Sequence, residues 1–102
     1  MRVYRKTAQE ATIYLDEKID LSSADALKNV LQGLYDENYK MIKMDFSVTK
    51  SIDSSCLGRL LMYQKKLKEN NGELIIANVT GEYIRKMFDL IHLHKVIRII
   101  EE

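Results

Sequence analysis

Asp53, Ser54 and Ser55 stand directly before an apolar-periodic run, and here the residue types and spacing best suit chemistry. Asp53 or Ser54 is placed to cap a helix, and Ser55 falls in its first turn. The first N–H groups of a helix lack intrahelical partners, and the helix dipole is positive there. A phosphate on Ser55 is therefore accepted without disturbing the fold, while adding about −1.5 to −2 charge at pH 7. Pressed into a partner surface, the same charge is desolvated and, beside an acidic group, repelled. A loss of ~3–4 kcal/mol weakens affinity a few-hundred-fold, and one buried like-charge contact is of that order. Asp-Ser-Ser is also an ordinary N-cap, and the two roles are compatible.

Other constellations give less. Ser, Asp and His are all present, but there is no Gly-x-Ser-x-Gly elbow to present a nucleophile. His92 and His94 sit at a helix end, where imidazolium suits the dipole. Two histidines are too few for a metal site, which needs three or four ligands. No Gly-x-Gly-x-x-Gly and no Walker A sequence cradles a phosphate. Neither catalysis nor a cofactor is expected. Cys56, near a helix start, has a place where a thiol can be activated, but its plainer reading is a small half-buried residue. Arg59, Lys65, Lys66 and Lys68 read as a solvated helix face, some of which can meet an acidic partner. Met41, Met44, Met62 and Met87 read as core or near-core filling.

The elements that must position Ser55 follow from periodicity. Val3 to Lys6 and Thr12 to Leu15 are predicted strands, joined at Gln9-Glu10. Asp20-Leu21-Ser22-Ser23 carries cap chemistry, with Ser22 and Asp25 spaced like a capping box. Ala24, Leu27, Val30, Leu31 and Leu34 then mark an amphipathic helix to about Asn38. Met41 to Phe46 reads as a strand and Ser47 to Asp53 as a polar connection. A second helix runs from about Ser54 to Glu69 on Leu57, Leu60, Leu61 and Leu67, stopped by Asn70-Asn71-Gly72. Leu74 to Ala77 is a buried strand. Thr80 is placed to cap a third helix with Ile84, Met87, Phe88 and Ile91 on one stripe, and Val96 to Ile100 is the last strand. The order β-β-α-β-α-β-α-β predicts an α/β domain with a mixed sheet covered by helices.

Composition narrows the function. The chain of 102 residues has the size of one domain. Its net charge of +1 argues against a nucleic-acid binder held by phosphate contacts and against a polybasic membrane-surface protein. No apolar run exceeds four residues, far short of the ~18 needed to span a bilayer. No apolar stretch follows Met1-Arg2-Val3-Tyr4-Arg5-Lys6, so no signal peptide is expected. A single cysteine forms no internal disulfide and suits a reducing cytoplasm.

Residues 45 to 61, Asp-Phe-Ser-Val-Thr-Lys-Ser-Ile-Asp-Ser-Ser-Cys-Leu-Gly-Arg-Leu-Leu, resemble the core signature of the STAS domain, the fold of bacterial anti-sigma factor antagonists. That pattern is an Asp-x-Ser segment followed by Asp-Ser-Ser-Gly-Leu-Gly opening a helix. Asp45 and Ser47 match the first part; Asp53, Ser54, Ser55, Leu57 and Gly58 match the second. Ile19-Asp20 with Ser23-Ala24, Asn71-Gly72-Glu73-Leu74, Asn78-Val79 and Arg85-x-Met87-Phe88-x-Leu90 extend the resemblance over nearly the whole chain, read as one STAS domain over 1–102. Cys56 replaces the family glycine after the serine pair, and His92-Leu93-His94 occupies a stretch where members often carry glycine. A fourth helix seen in many members is expected to be absent or very short.

The resemblance implies a non-catalytic binding module. It implies that Ser55 is phosphorylated by an anti-sigma factor that is also a serine kinase. It also implies that the unphosphorylated form binds that factor and frees a sigma factor, and that a serine phosphatase resets the switch. The implied interface joins Asp20, Leu21, Ser22 and Ser23 to Asp53, Ser54, Ser55, Cys56 and Arg59. The protein is expected to be cytoplasmic, a monomer or weak dimer, without direct nucleic-acid or membrane contact. The alternatives are a STAS scaffold subunit of a stress-signalling or transport assembly, and a nucleotide-sensing module.

Overall fold

A computed structural model describes residues 1–102. Five strands make the main sheet: β1 (Arg2–Arg5), β2 (Glu10–Tyr14), β4 (Met41–Asp45), β6 (Glu73–Ala77) and β7 (Arg98–Ile100), in the order β1-β2-β4-β6-β7. β1 pairs antiparallel with β2, through a turn in which Thr7 Oγ1 accepts the N–H groups of Gln9 and Glu10. The turn therefore precedes Glu10, which already belongs to β2. The other neighbours are parallel. Parallel neighbours need crossovers, supplied by helices α1 (Leu21–Asp36), α2 (Ser54–Glu69) and α3 (Glu82–Leu90). The mixed sheet and three helices of the sequence reading are all present.

The helices share one face of the sheet. Ile13, Ile42, Met44, Leu74 and Ile76 alternate inward and join Leu27, Leu31, Leu60, Leu67, Ile84 and Phe88 in one core. The ring of Phe88 on α3 meets Phe46 edge-on at 5.6 Å. The other sheet face carries the register row Tyr4, Thr12, Lys43, Ile75 and Arg98, where Lys43 pairs with Glu102 and Arg98 with Glu73. Buried Gln64 of α2 accepts from Leu74 N–H at 2.7 Å and donates to the Val96 carbonyl at 3.0 Å, tying the helix to β6 and to the segment entering β7.

Several sequence expectations need correction. Two short strands, β3 (Lys18–Ile19) and β5 (Ser51–Ile52), form a separate two-stranded parallel sheet, so the stretch from Ser47 to Asp53 is not wholly a polar connection. Ser22 and Asp25 form no capping box: Asp20 is the N-cap of α1, and Asp25 pairs with Arg59 across to α2. Thr80 does not cap α3; its hydroxyl donates to the Ser47 carbonyl at 2.7 Å, and Gly81 holds the cap position. A Cβ on Gly81 would press on the Thr49 carbonyl oxygen, which explains glycine there. The buried stripe of α2 is Cys56, Leu60, Tyr63, Gln64 and Leu67, which leaves Leu61 and Met62 exposed. Arg59 and Lys66 are half-buried rather than solvated because α1 packs alongside. Lys66 Nζ lies 5.3 and 5.1 Å from the Tyr35 and Tyr63 ring centroids. Ile91 and Val96 are exposed, Ile91 because α3 ends at Leu90 and Val96 because it precedes β7.

Candidate functional site

The strands β2, β4, β6 and β7 run parallel, and each helix follows the C-terminal end of a strand. All three helices therefore start at one end of the molecule. The small sheet decides how two of these starts meet. β3 leads into α1 and β5 into α2, and their register sets Ile19 opposite Ile52. The next residues, Asp20 and Asp53, are the caps of the two helices. Asp53 N–H donates to the Ile19 carbonyl at 2.7 Å, which locks the second cap to the strand of the first.

The two starts repeat one design, Ile-Asp-x-Ser, at Ile19-Asp20-Leu21-Ser22 and Ile52-Asp53-Ser54-Ser55. Asp53 Oδ1 accepts the Ser55 N–H at 2.8 Å and the Ser55 hydroxyl at 2.7 Å. Asp20 Oδ1 accepts the Ser22 N–H at 3.0 Å and also the Ser22 hydroxyl. A carboxylate that accepts such bonds is favoured in its charged form. Hydrogen bonds from Ser55, side chain before backbone, hold Asp53 below the usual carboxylate range. The Ser22 hydroxyl does the same for Asp20, with its backbone N–H and that of Ser23 adding to it.

Leu21 stands 71 % exposed at the first position of α1, beside exposed Ser22. Ser54 occupies the equivalent place on α2 and is exposed, while Ser55 is half-buried. The structure thus brings together Asp20, Leu21, Ser22, Ser23, Asp53, Ser54 and Ser55 at one surface. Cys56 belongs to the same cluster but not to that surface. Its side chain is fully buried, and the thiol donates to the Asp20 carbonyl at 3.2 Å. The expectation of a half-buried side chain facing a partner is corrected, because the third helical position turns inward against the other cap. Burial, then the Asp53 charge, raises the thiol above its ordinary range, so it is neutral at neutral pH.

Arg59 sits one turn further along α2, with a terminal nitrogen 3.5 Å from Asp25 Oδ1 on α1. Gly58 is exposed, and a Cβ there would meet nothing within 4 Å. The segment Asp45-x-Ser47 acts as a turn anchor. Burial of Asp45 opposes its charge, but bonds from Ser47 and Asn78 outweigh this and keep its carboxyl below the usual range. His92 adopts a left-handed conformation (φ 57) in the stretch where the signature often has glycine. The sequence reading missed the small sheet and exposed Val48 in the connection before β5. The signal that could have found the paired caps is the repeated Ile-Asp-x-Ser.

Residues 3–101 match a family model described as "Mlab, STAS domain". Solved structures share the fold. The anti-sigma factor antagonist SpoIIAA in its unphosphorylated form superposes with a TM-score of 0.85 at 19% identity, over 99% of this chain and 86% of that one. The Bacillus cell fate determinant SpoIIAA in the phosphorylated form gives a TM-score of 0.79 at 19% identity, over 99% and 89%. An anti-sigma factor antagonist from Mycobacterium paratuberculosis gives 0.80 at 18% identity, over 97% and 86%. At these identities the likeness is one of fold. With the signature, the paired caps and the match over residues 3–101 in agreement, the chain belongs to the STAS domain family.

Proposed function

We propose that this protein is an anti-sigma factor antagonist switched by phosphorylation of Ser55. The unphosphorylated form binds an anti-sigma factor that is also a serine kinase, and the sigma factor is released. The observation that carries this reading is the Ser55 hydroxyl: it sits in the first turn of α2, held at 2.7 Å by the Asp53 carboxylate, on the surface shared with the start of α1. The likeness in fold to SpoIIAA, solved in unphosphorylated and phosphorylated forms, supports it.

The geometry suits a substrate rather than a catalyst. Asp53 orients the hydroxyl lone pairs, but hydrogen bonding keeps it ionised and makes it a weak base. The proton of Ser55 must therefore leave to a base supplied by the kinase as the terminal phosphoryl group of ATP passes to Oγ and ADP departs. Phosphorylation removes the hydroxyl donor and sets a dianion beside Asp53, at a helix start whose N–H groups and dipole tolerate it. A partner that docks there meets a charge it must desolvate, and affinity falls. A serine phosphatase restores the hydroxyl. The protein acts in the cytoplasm as a monomer or weak dimer.

The test is to incubate the protein with its cognate kinase and ATP and to map the phosphate by mass spectrometry. Phosphate on Ser55 is the expected result. Phosphate on Ser54 alone, or on neither serine, overturns the assignment.

A further inference from the structure

We propose that Arg59 is a built-in clamp for phosphorylated Ser55, leaving Asp25 of α1 to take hold of the phosphate. The inference rests on the reading of Ser55 as the phosphoacceptor and adds how the modified state is held. Ser55 and Arg59 are spaced i, i+4 on α2, which places them on one helix face a turn apart. Helical side chains lean toward the N-terminus, so Arg59 is within reach of the turn that holds Ser55, and its charge already acts on Cys56 in that turn.

Three observations mark the guanidinium as available. Its Nε is buried and has no acceptor within the chain. A buried donor without a partner is costly, so an incoming acceptor is favoured. Its terminal nitrogen reaches Asp25 at only 3.5 Å, and that carboxylate is 91 % exposed, so water competes for the pair. The charges acting on the neighbouring Cys56 thiol are Asp53 and Asp20 on the acidic side and Arg59 on the basic side. A phosphate on Ser55 thus enters a neighbourhood with Asp20 and Asp53 on the acidic side and Arg59 on the basic side, while Lys18 acts on Asp20. Arginine presents a planar fork that matches phosphate oxygens in pairs. A group of about −1.5 to −2 charge outcompetes a single solvated carboxylate for it.

Drawing Arg59 along α2 breaks its bridge to α1. Phosphorylation then does more than add charge: it removes a cation from the inter-helix seam that a partner meets and leaves Asp25 unpaired.

The clamp is tested without any kinase. Phosphoserine is installed at position 55 during translation, and its second ionisation is followed by phosphorus NMR. With Arg59 present the titration midpoint is expected below the ordinary value of about 6. Arg59→Gln should raise it by about half a pH unit or more. Arg59→Lys should restore much of the shift, and Asp25→Asn should leave the midpoint unchanged or lower it. Coincident midpoints for the native protein and Arg59→Gln overturn the clamp. So does an equal rise in the Gln and Lys variants, which would report a disturbed helix rather than a lost charge. Because the phosphate is installed directly, failure of the clamp is distinct from failure of a kinase to modify Ser55.

Discussion

Cys56 ties the two halves of the site together from beneath. Its buried thiol reaches from α2 to the Asp20 carbonyl at the start of α1. A glycine in its place loses that contact and the buried side chain, and adds backbone freedom worth ~0.5–1 kcal/mol within a helix. With the transfer and cavity terms the cost of Cys56→Gly is about 2 kcal/mol. A domain of this size should then melt roughly 10 °C lower. A higher melting temperature for the glycine variant would show that the site prefers a backbone only glycine adopts. The thiol also makes a chemical prediction. Burial and the nearby Asp53 raise its pKa, so alkylation at pH 8 should be slow in the native protein and fast in denaturant. Equal rates would contradict its placement. His92 bears the opposite burden, a left-handed conformation that costs a residue with a Cβ about 1–2 kcal/mol. His92→Gly should therefore raise the melting temperature by a few degrees.

At the scale of elements, α1 and α2 depend on their caps. Bonds accepted from Ser22 and Ser55 hold Asp20 and Asp53 in the folded protein below the ordinary carboxylate range. The sign follows by linkage: a carboxylate with a depressed folded pKa binds its proton more readily in the unfolded chain. Its contribution is present above the unfolded value of about 3.9 and is lost as pH falls through the folded one. The melting temperature should fall as pH drops below about 4, and Asp20→Asn with Asp53→Asn should flatten that fall. A double variant with an unchanged slope would contradict the cap account. α2 makes a second prediction. A Cβ on Gly58 meets nothing, so Gly58→Ala should raise stability by about 0.5–1 kcal/mol through helix propensity.

Much of this was legible in the sequence. Helical periodicity and a clear start and stop located α2 at Ser54 to Glu69, and the Asp-Ser-Ser signature pointed to its start. What was not legible was long-range. β3 and β5 have two residues each, too few for a period to register. The inward turn of Cys56 depends on the neighbouring cap, which local patterns do not report. The departure of Arg59 from the basic face likewise depends on α1 packing alongside. Asn70-Asn71-Gly72 read as a helix stop, and Asn71 does take the left-handed conformation (φ 62); what local pattern could not report is that Gly72 is required because a Cβ would collide with the Lys40 carbonyl.

At the scale of the whole molecule, three helix starts share one end, and two of them are fastened by a sheet of their own. On the proposed reading a phosphate on Ser55 needs no rearrangement of the core, because it would stand at a helix start whose dipole and N–H groups favour an anion. Amide chemical shifts should move around residues 20 to 25 and 53 to 59, and little in the five-stranded sheet. The most direct test is the affinity of one protein for its cognate anti-sigma kinase in two states, unmodified and carrying phosphoserine at position 55, measured by titration calorimetry. The unmodified protein should bind and the phosphorylated protein should bind a few-hundred-fold more weakly, a difference of ~3–4 kcal/mol. Equal affinities in the two states would contradict it.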